Sequence, residues 1–145
     1  MILFKNRKYK SGIRWCFWRW TDIDPMNEGS PYMTRLHIFQ LPICSLIVHW
    51  IHRPDPQPDL HDHPVTFLSI ILRGGYWEER EVNGVVEYRR ARFWNFIRAT
   101  DKHRIISLNR EPTMTLMFAS KVVRGWGFWT KEGWVPWREY KKSIG

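Results

Sequence analysis

Cysteine is nearly absent from this chain: Cys16 and Cys44 stand alone, in neither a metal nor a redox spacing. That excludes a disulfide framework or a thiolate cluster as the organising device, and free thiols suit a reducing, cytoplasmic compartment, which is the expected location. Long apolar runs are missing as well. No stretch approaches the roughly 18 to 20 residues a membrane helix needs, and the longest apolar segments are broken by Ser45, His49 or Arg73. At the front, Met1-Ile2-Leu3-Phe4 precedes its charges and no small-residue cleavage site follows, the wrong order for a secretory leader. Acidic residues are scarce, 14 against 23 Lys and Arg, for a formal charge of +9. Such an excess raises nucleic acid as a partner. The basic residues are dispersed, however, in small groups such as Lys5, Arg7, Lys8, Lys10 and Arg14, then Arg89, Arg90 and Arg92, then Lys141 and Lys142. A solvated surface explains them better, and nucleic acid is not the expected partner. Phosphate loops, Gly-x-Ser-x-Gly elbows and His-Glu-x-x-His helices are all absent, and neither cysteine has a paired base.

What is present is β-patterning and tryptophan. Ten tryptophans in 145 residues offer more apolar surface than one small domain readily covers, so core, pocket and interface positions are all expected, and with the apolar Met1-to-Phe4 arm they point to a homodimer. Residues 14 to 20 fit a helical turn or a strand equally well, and residues 22 to 31 carry loop chemistry. Residues 35 to 41 and 43 to 51 read as strands around Pro42, the second apolar on both faces. A loop stiffened by Pro54, Pro56 and Pro58 follows. Asn83-Gly84 between two β-rich runs is the favoured two-residue hairpin turn, with Glu78, Glu79 and Glu81 expected to face Arg89, Arg90 and Arg80. Further strands fall at 93 to 97, 104 to 108, 113 to 119 and 125 to 130, with 134 to 140 as a tail. About nine short strands with little helical periodicity predict an all-β jelly roll or barrel.

The chemistry concentrates in His61-Asp62-His63-Pro64, followed by an apolar strand and Arg73-Gly74-Gly75. Histidines two apart on an extended backbone point the same way and can grip one ion together. A third imidazole, His103, follows the turn at Ala99-Thr100-Asp101. This His-x-His, the Gly-Gly turn eleven and twelve residues on, and the later lone His resemble the two motifs of the cupin superfamily. The resemblance implies a single cupin-type double-stranded β-helix (jelly-roll) barrel over residues 35–140, with a basic, aromatic arm at 1–34 and a tail at 141–145. It also implies one metal held by His61, His63 and His103. The family's glutamate would fall at Phe67, which cannot ligate, so the chain is most similar to the three-histidine branch that includes thiol dioxygenases. A second likeness, in the His-Asp-His-Pro block and the Trp-Gly-Phe…Gly-Trp-Val-Pro-Trp-Arg-Glu ending, is to uncharacterised bacterial and phage cupin-like proteins.

Strand parity carried from His61 places Val65, Phe67, Ser69, Ile71 and Arg73 inside the barrel, and parity from His103 adds Ile105 and Ser107. Phe67, Ser69 and Arg73 by this parity, His49 by the parity of its own strand, and Arg104 by standing next to His103 in sequence are the candidate ligand contacts. Asp62 alternates outward, to pair with an arginine, cap a turn or orient a ligand, and Glu78 lies beyond the turn, away from the site. Three neutral imidazoles suit one divalent transition metal, Fe, Zn, Ni or Mn, and leave positions open. The expected function is that of a metal-binding cupin, an oxygenase acting on a small acidic molecule, the acid meeting Arg73. The alternative is a non-catalytic module for a small anionic ligand or a protein partner.

Overall fold

A computed structural model describes the backbone of residues 14–23 and, with their side chains, residues 30–144; readings that fall on residues 1–13 and 24–29 lie outside the described residues. In chain order the elements are β1 (Arg14–Ile23), β2 (Pro31–Gln40), β3 (Cys44–Ile51), β4 (Leu60–His61), β5 (Phe67–Arg73), β6 (Tyr76–Val82), β7 (Val85–Ala91), β8 (Trp94–Ile97), β9 (His103–Leu108), β10 (Thr113–Ser120), β11 (Gly127–Thr130), β12 (Gly133–Pro136) and α1 (Trp137–Ile144). The strands make two six-stranded antiparallel sheets, ordered β1-β2-β3-β10-β5-β8 and β12-β11-β4-β9-β6-β7. Neighbours are distant in sequence: β10 sits between β3 and β5, and β9 between β4 and β6. That interleaving of two sheets is the jelly roll expected from the strand spacing.

Three of the strands are additional to the nine expected: β1, β4 and β12. The 14 to 20 stretch, open between helix and strand, is strand, paired antiparallel along β2. The tail splits in two. Gly133, at φ 117°, turns β11 back into β12, and the helix α1 then starts with its Trp137 N–H donating to the Trp126 carbonyl at 3.2 Å. Lys141 and Lys142 sit in the helix's last turn, where its dipole favours cations.

The first sheet buries one face and leaves the other apolar. Its inner side carries Ile47 and His49 on β3, Thr115, Met117 and Ala119 on β10, Phe67 and Ser69 on β5, and Asn95 and Ile97 on β8, all buried. On its outer side, register lines up Leu46, Phe118, Leu68 and Phe96 in one row and Val48, Leu116, Ile70 and Trp94 in the next. Inside, one apolar cluster joins Met33, Ile51, Tyr76, Ala91 and Ile105, and a second joins Ile47, Phe67, Ile97, Met117 and Ala119. Between them along the strands runs a belt of buried polar groups: His49, Thr115, Ser69, Asn95, Glu78 and His103. Buried polar groups cost free energy unless partnered, so this belt is where chemistry is to be sought.

The hairpin of β6 and β7 turns at Asn83 and Gly84, both at positive φ (50° and 80°), as its Asn-Gly pair predicts. Its charges do not pair across to β7. Glu79 and Glu81 instead meet Arg104 and Lys102 of the β9 region, and Glu78 turns inward, because β6 is sandwiched between β7 and β9 rather than exposed. Gly84→Ala is expected to cost about 1 kcal/mol, the strain of a left-handed backbone, since a Cβ there meets nothing within 4 Å. Gly75→Ala, at φ +120°, would also bring a Cβ to 2.6 Å of the Ala91 carbonyl and is expected to lose clearly more stability in urea unfolding. Equal losses would contradict the close approach of β7 to the Gly74-Gly75 turn.

Candidate metal centre

β4 is two residues long because the prolines before it forbid a longer ladder. It wedges between β9 and β11, with His61 opposite His103 on one side and Phe128 on the other. The proline loop is pinned by Asp55, whose carboxylate accepts the Ile105 N–H at 2.6 Å and the Tyr32 hydroxyl. His63 is fixed in turn by its backbone N–H donating to the Ala99 carbonyl at 3.1 Å, and its ring meets the edge of Phe67 at 4.9 Å and 85°.

These anchors bring the three predicted histidines together. Ring centroids of His61, His63 and His103 stand 5.0, 4.9 and 4.9 Å apart, and one ring nitrogen from each lies within 4.8 Å of the others. The Nε2 atoms of His63 and His103 are 2.7 Å apart. His103 Nδ1 donates to the Glu78 carboxylate at 2.8 Å, so a neutral His103 presents a bare Nε2 to the cluster. Burial holds His61 down at about 4, the nearby Asp55 carboxylate only partly opposing it. Burial, then His103 and His61, likewise hold His63 well below the ordinary histidine range. Three imidazoles converging on one point, with the second nitrogen of one tied to a carboxylate, are the donor set a divalent transition metal takes. The residues present fit that ion.

Glu78 is the residue that sequence reasoning missed. Expected beyond the site, it is buried at 1 % exposure and returns because β6 pairs with β9. Burial alone would raise its carboxyl, but the hydrogen bond and charge of His103, Arg80 and Asn95 outweigh it and hold the carboxyl below the ordinary range. Arg80 Nη2 stands 2.8 Å from Glu78 Oε1, and Asn95 Nδ2 donates to Glu78 Oε2 at 3.1 Å and to the Tyr76 hydroxyl at 2.9 Å. The available signal was alternation: Tyr76, Glu78 and Arg80 share one face of β6, and Tyr76 directly follows the Gly-Gly turn.

Asp62 points away from the histidines and is fully buried. It accepts from the Gly127 N–H at 2.8 Å and the indoles of Trp129 and Trp134 at 3.1 and 3.0 Å, and pairs with Arg124 at 2.8 Å. Of the readings open for it, pairing with an arginine is what the structure shows, and the orienting carboxylate is Glu78. A Cβ at Gly127 would lie 2.1 Å from the Val135 carbonyl, so only glycine admits this clamp. The aromatic ending thus covers the site: Phe128 stacks on Tyr140 at 4.0 Å and Trp126 on Trp137 at 5.6 Å, while Trp126 and Phe128 flank His61. The Tyr140 hydroxyl donates to Asp59 at 2.8 Å.

The remaining candidates separate. His49 is buried on the inner wall, where no partner among the described residues meets its Nε2, and burial followed by Arg35 keeps it neutral. Ser69 is buried beside the register position of Asn95. Phe67 packs on His63. Arg73 is a correction: a bulge at Leu72 pairs Arg73 with Met114 but Ile71 with Thr115, so the alternation slips and Arg73 ends exposed. Ser107 leaves the interior for the same reason, through the irregularity between Trp77 and Glu78. Arg104 alternates outward from His103 and is occupied, donating to Glu79 at 2.5 Å and the Pro58 carbonyl at 2.6 Å.

No protein-family profile and no curated protein sequence matches this chain. Solved structures do. A mannose-6-phosphate isomerase-like protein from Ralstonia eutropha JMP134 superposes with a TM-score of 0.53 at 18% identity, covering 65% of this chain and 89% of its own. Fe(II)-HppE with the alternative substrate (S)-1-HPP gives 0.52 at 9% identity, covering 70% of this chain and 54% of its own. An RmlC-like cupin from Shewanella frigidimarina is also similar, at a TM-score of 0.45 and 15% identity, over 70% of this chain and 85% of its own. The fold is that of the cupins, a jelly-roll β-barrel.

Because His61 and His63 stay neutral in the fold but charge near 6.5 when unfolded, the unfolded chain binds more protons below that pH. Stability of the metal-free protein is therefore expected to fall as pH drops from 6.5 toward 4, by up to about 1.4 kcal/mol per pH unit for each such histidine. Urea midpoints across this range check it; a flat profile would contradict the burial of the cluster.

Proposed function

We propose that this chain binds one divalent transition metal, Fe, Zn, Ni or Mn, through His61, His63 and His103, and uses it on a small acidic molecule, as a three-histidine oxygenase in the cytoplasm. The single observation that carries the reading is the convergence of three imidazoles, two of them kept neutral by burial and the third tied through Nδ1 to a buried carboxylate. Bound there, the ion would supply Lewis-acid or oxygen chemistry at positions left open by the three protein ligands. The chain's own residues would do the rest. Glu78 fixes the tautomer of His103, Phe67 seats the ring of His63, and Trp126 and Phe128 shield His61 from water. His49 and Ser69, buried on the inner wall, are the groups available to orient a ligand. The non-catalytic alternative, a module binding a small anion, uses the same residues without turnover.

Metal analysis of protein expressed with each ion is expected to give one ion per chain, lost when His61→Ala and His63→Ala are combined. Glu78→Gln is expected to weaken binding by about 10- to 100-fold. Full metal content in the double variant would refute the assignment. Turnover screening of amino, thiol, keto and sugar acids under oxygen separates the enzyme from the binding module.

A homodimer is part of the same proposal, seated on the outer apolar face of the first sheet. Trp94 is 66% exposed there, Leu72 50%, Phe96 and Phe118 46% and Ile70 37%. With Phe93 and Ile43 alongside, at 69% and 72%, this approaches the roughly 800 Å² per partner of a standard interface. A sheet face apolar in two successive rows is complementary to a second copy of itself across a two-fold axis. Light scattering is expected to report a dimer that Phe118→Glu with Trp94→Glu converts to monomer; a wild-type monomer at micromolar concentration would contradict it.

A further inference from the structure

Thr113 and Thr115 lie two residues apart on the inner face of β10, and both are buried, at 0 and 1 % exposure. Their hydroxyls fare differently. Thr113 Oγ1 stands 2.9 Å from the Gly75 carbonyl oxygen and 2.8 Å from that of Arg110. Thr115 Oγ1 meets no hydrogen-bond partner among the described residues. The same is true of Nε2 of His49, and His49 is the cross-strand neighbour of Thr115 on β3. Side chains opposite one another on a sheet stand about 4.5 to 5.5 Å apart at Cβ, so one small group can touch both. Each of these side chains is more than nine-tenths buried. A buried polar atom without a partner keeps its desolvation cost unmet, and two of them side by side call for an occupant.

The row these two residues belong to holds a cation and no carboxylate. It runs across the first sheet from Arg35 on β2 through His49 and Thr115 to Ile71 on β5. Strands β2, β3, β5, β8 and β10 carry no Asp or Glu at all. The charge of Arg35 is felt by His49 and also by His63, and His63 feels His49 in turn, which sets the row within electrostatic range of the histidine cluster. His61 keeps 13 % of its side chain exposed, and this leaves the cluster a way to solvent.

We propose that Thr115 and His49 form a carboxylate subsite on the inner wall, Thr115 donating its hydroxyl proton and His49 an N–H on Nε2 to the acid group of a small ligand. The inference rests on the reading of the histidine cluster as the site of a small acidic molecule. It gives that acid the partners which the outward turn of Arg73 removed. A carboxylate suits the pair because it offers one oxygen to each donor, gains from the guanidinium of the same row and meets no like charge on the wall. Thr115 and His49 touch the ligand, whereas the other three histidines hold the ion.

The test uses the full chain, with and without zinc, at constant ionic strength. Acetate, glycolate and pyruvate are the probes and acetamide and glycolamide their neutral counterparts, followed by isothermal titration and thermal unfolding. Wild type is expected to gain Tm with at least one acid and not with the amides. Thr115→Val is expected to bind that acid at least about tenfold more weakly. It is also expected to raise the Tm of the ligand-free protein by about 2 to 4 °C, because it removes a buried hydroxyl that has no partner. Thr113→Val, which breaks hydrogen bonds that are made, is expected to lower that Tm and to leave acid affinity as in wild type. His49→Leu is expected to weaken acid binding as Thr115→Val does, with zinc content unchanged. A fall in ligand-free Tm for Thr115→Val, acid affinity unmoved in both variants, an equal response to acids and amides, or no response to any acid would overturn the subsite and leave it to an ordered water. Zinc content keeps the two readings apart. A wild type without zinc refutes the metal centre, while the acid affinities of the variants decide the subsite in either case.

Discussion

The bond between His103 and Glu78 is the contact on which the rest of the interior depends. A carboxylate at 1 % exposure is tolerable only if its lone pairs are filled, and the filling of Glu78 organises the belt: His103 on one oxygen, Arg80 on the other, Asn95 bridging to Tyr76. His103 lies on β9, Asn95 on β8, and Tyr76, Glu78 and Arg80 on β6, so the network also fixes how β6, β8 and β9 face one another. Removing any member leaves a buried group stranded, which costs more than the hydrogen bond it made. The apolar clusters on either side then have a defined gap between them, and the histidines occupy it.

Asp62 performs the equivalent task outside the barrel. Its four contacts, one backbone amide, two indoles and one guanidinium, tie the last hairpin to the His-Asp-His segment. The result is that the residues at the far end of the chain shield the ones in the middle. Tryptophan suits this use because its ring buries a large apolar area while its N–H reaches a carboxylate. Several of the ten tryptophans are accounted for in this way, and Trp94 instead lies on the open face of the first sheet.

Much of the fold was legible in the sequence because period-two alternation, the proline loop and the Asn83-Gly84 turn are local signals whose meaning does not depend on partners. The three histidines were legible for the same reason, two of them by spacing and His103 by its place after a turn. Glu78 and Arg73 were misplaced, and both errors have one cause. Parity counting assumes an unbroken ladder, whereas a bulge at Leu72 turns Arg73 outward and the pairing of β6 with β9 brings Glu78 in. Bulges and long-range strand order are set by tertiary contacts, which no window of neighbouring residues contains. The helix at the end escaped notice because eight residues carry too little periodicity to outweigh a tryptophan-rich, strand-like run.

The central claim is that three imidazoles, held by these contacts, form one metal site. Anomalous diffraction from crystals loaded with zinc tests it most directly. The account calls for a single peak about 2.0 to 2.1 Å from one nitrogen each of His61, His63 and His103, with His103 Nδ1 still bonded to Glu78. A peak elsewhere on the chain, or none at this cluster while zinc is bound in solution, would contradict it.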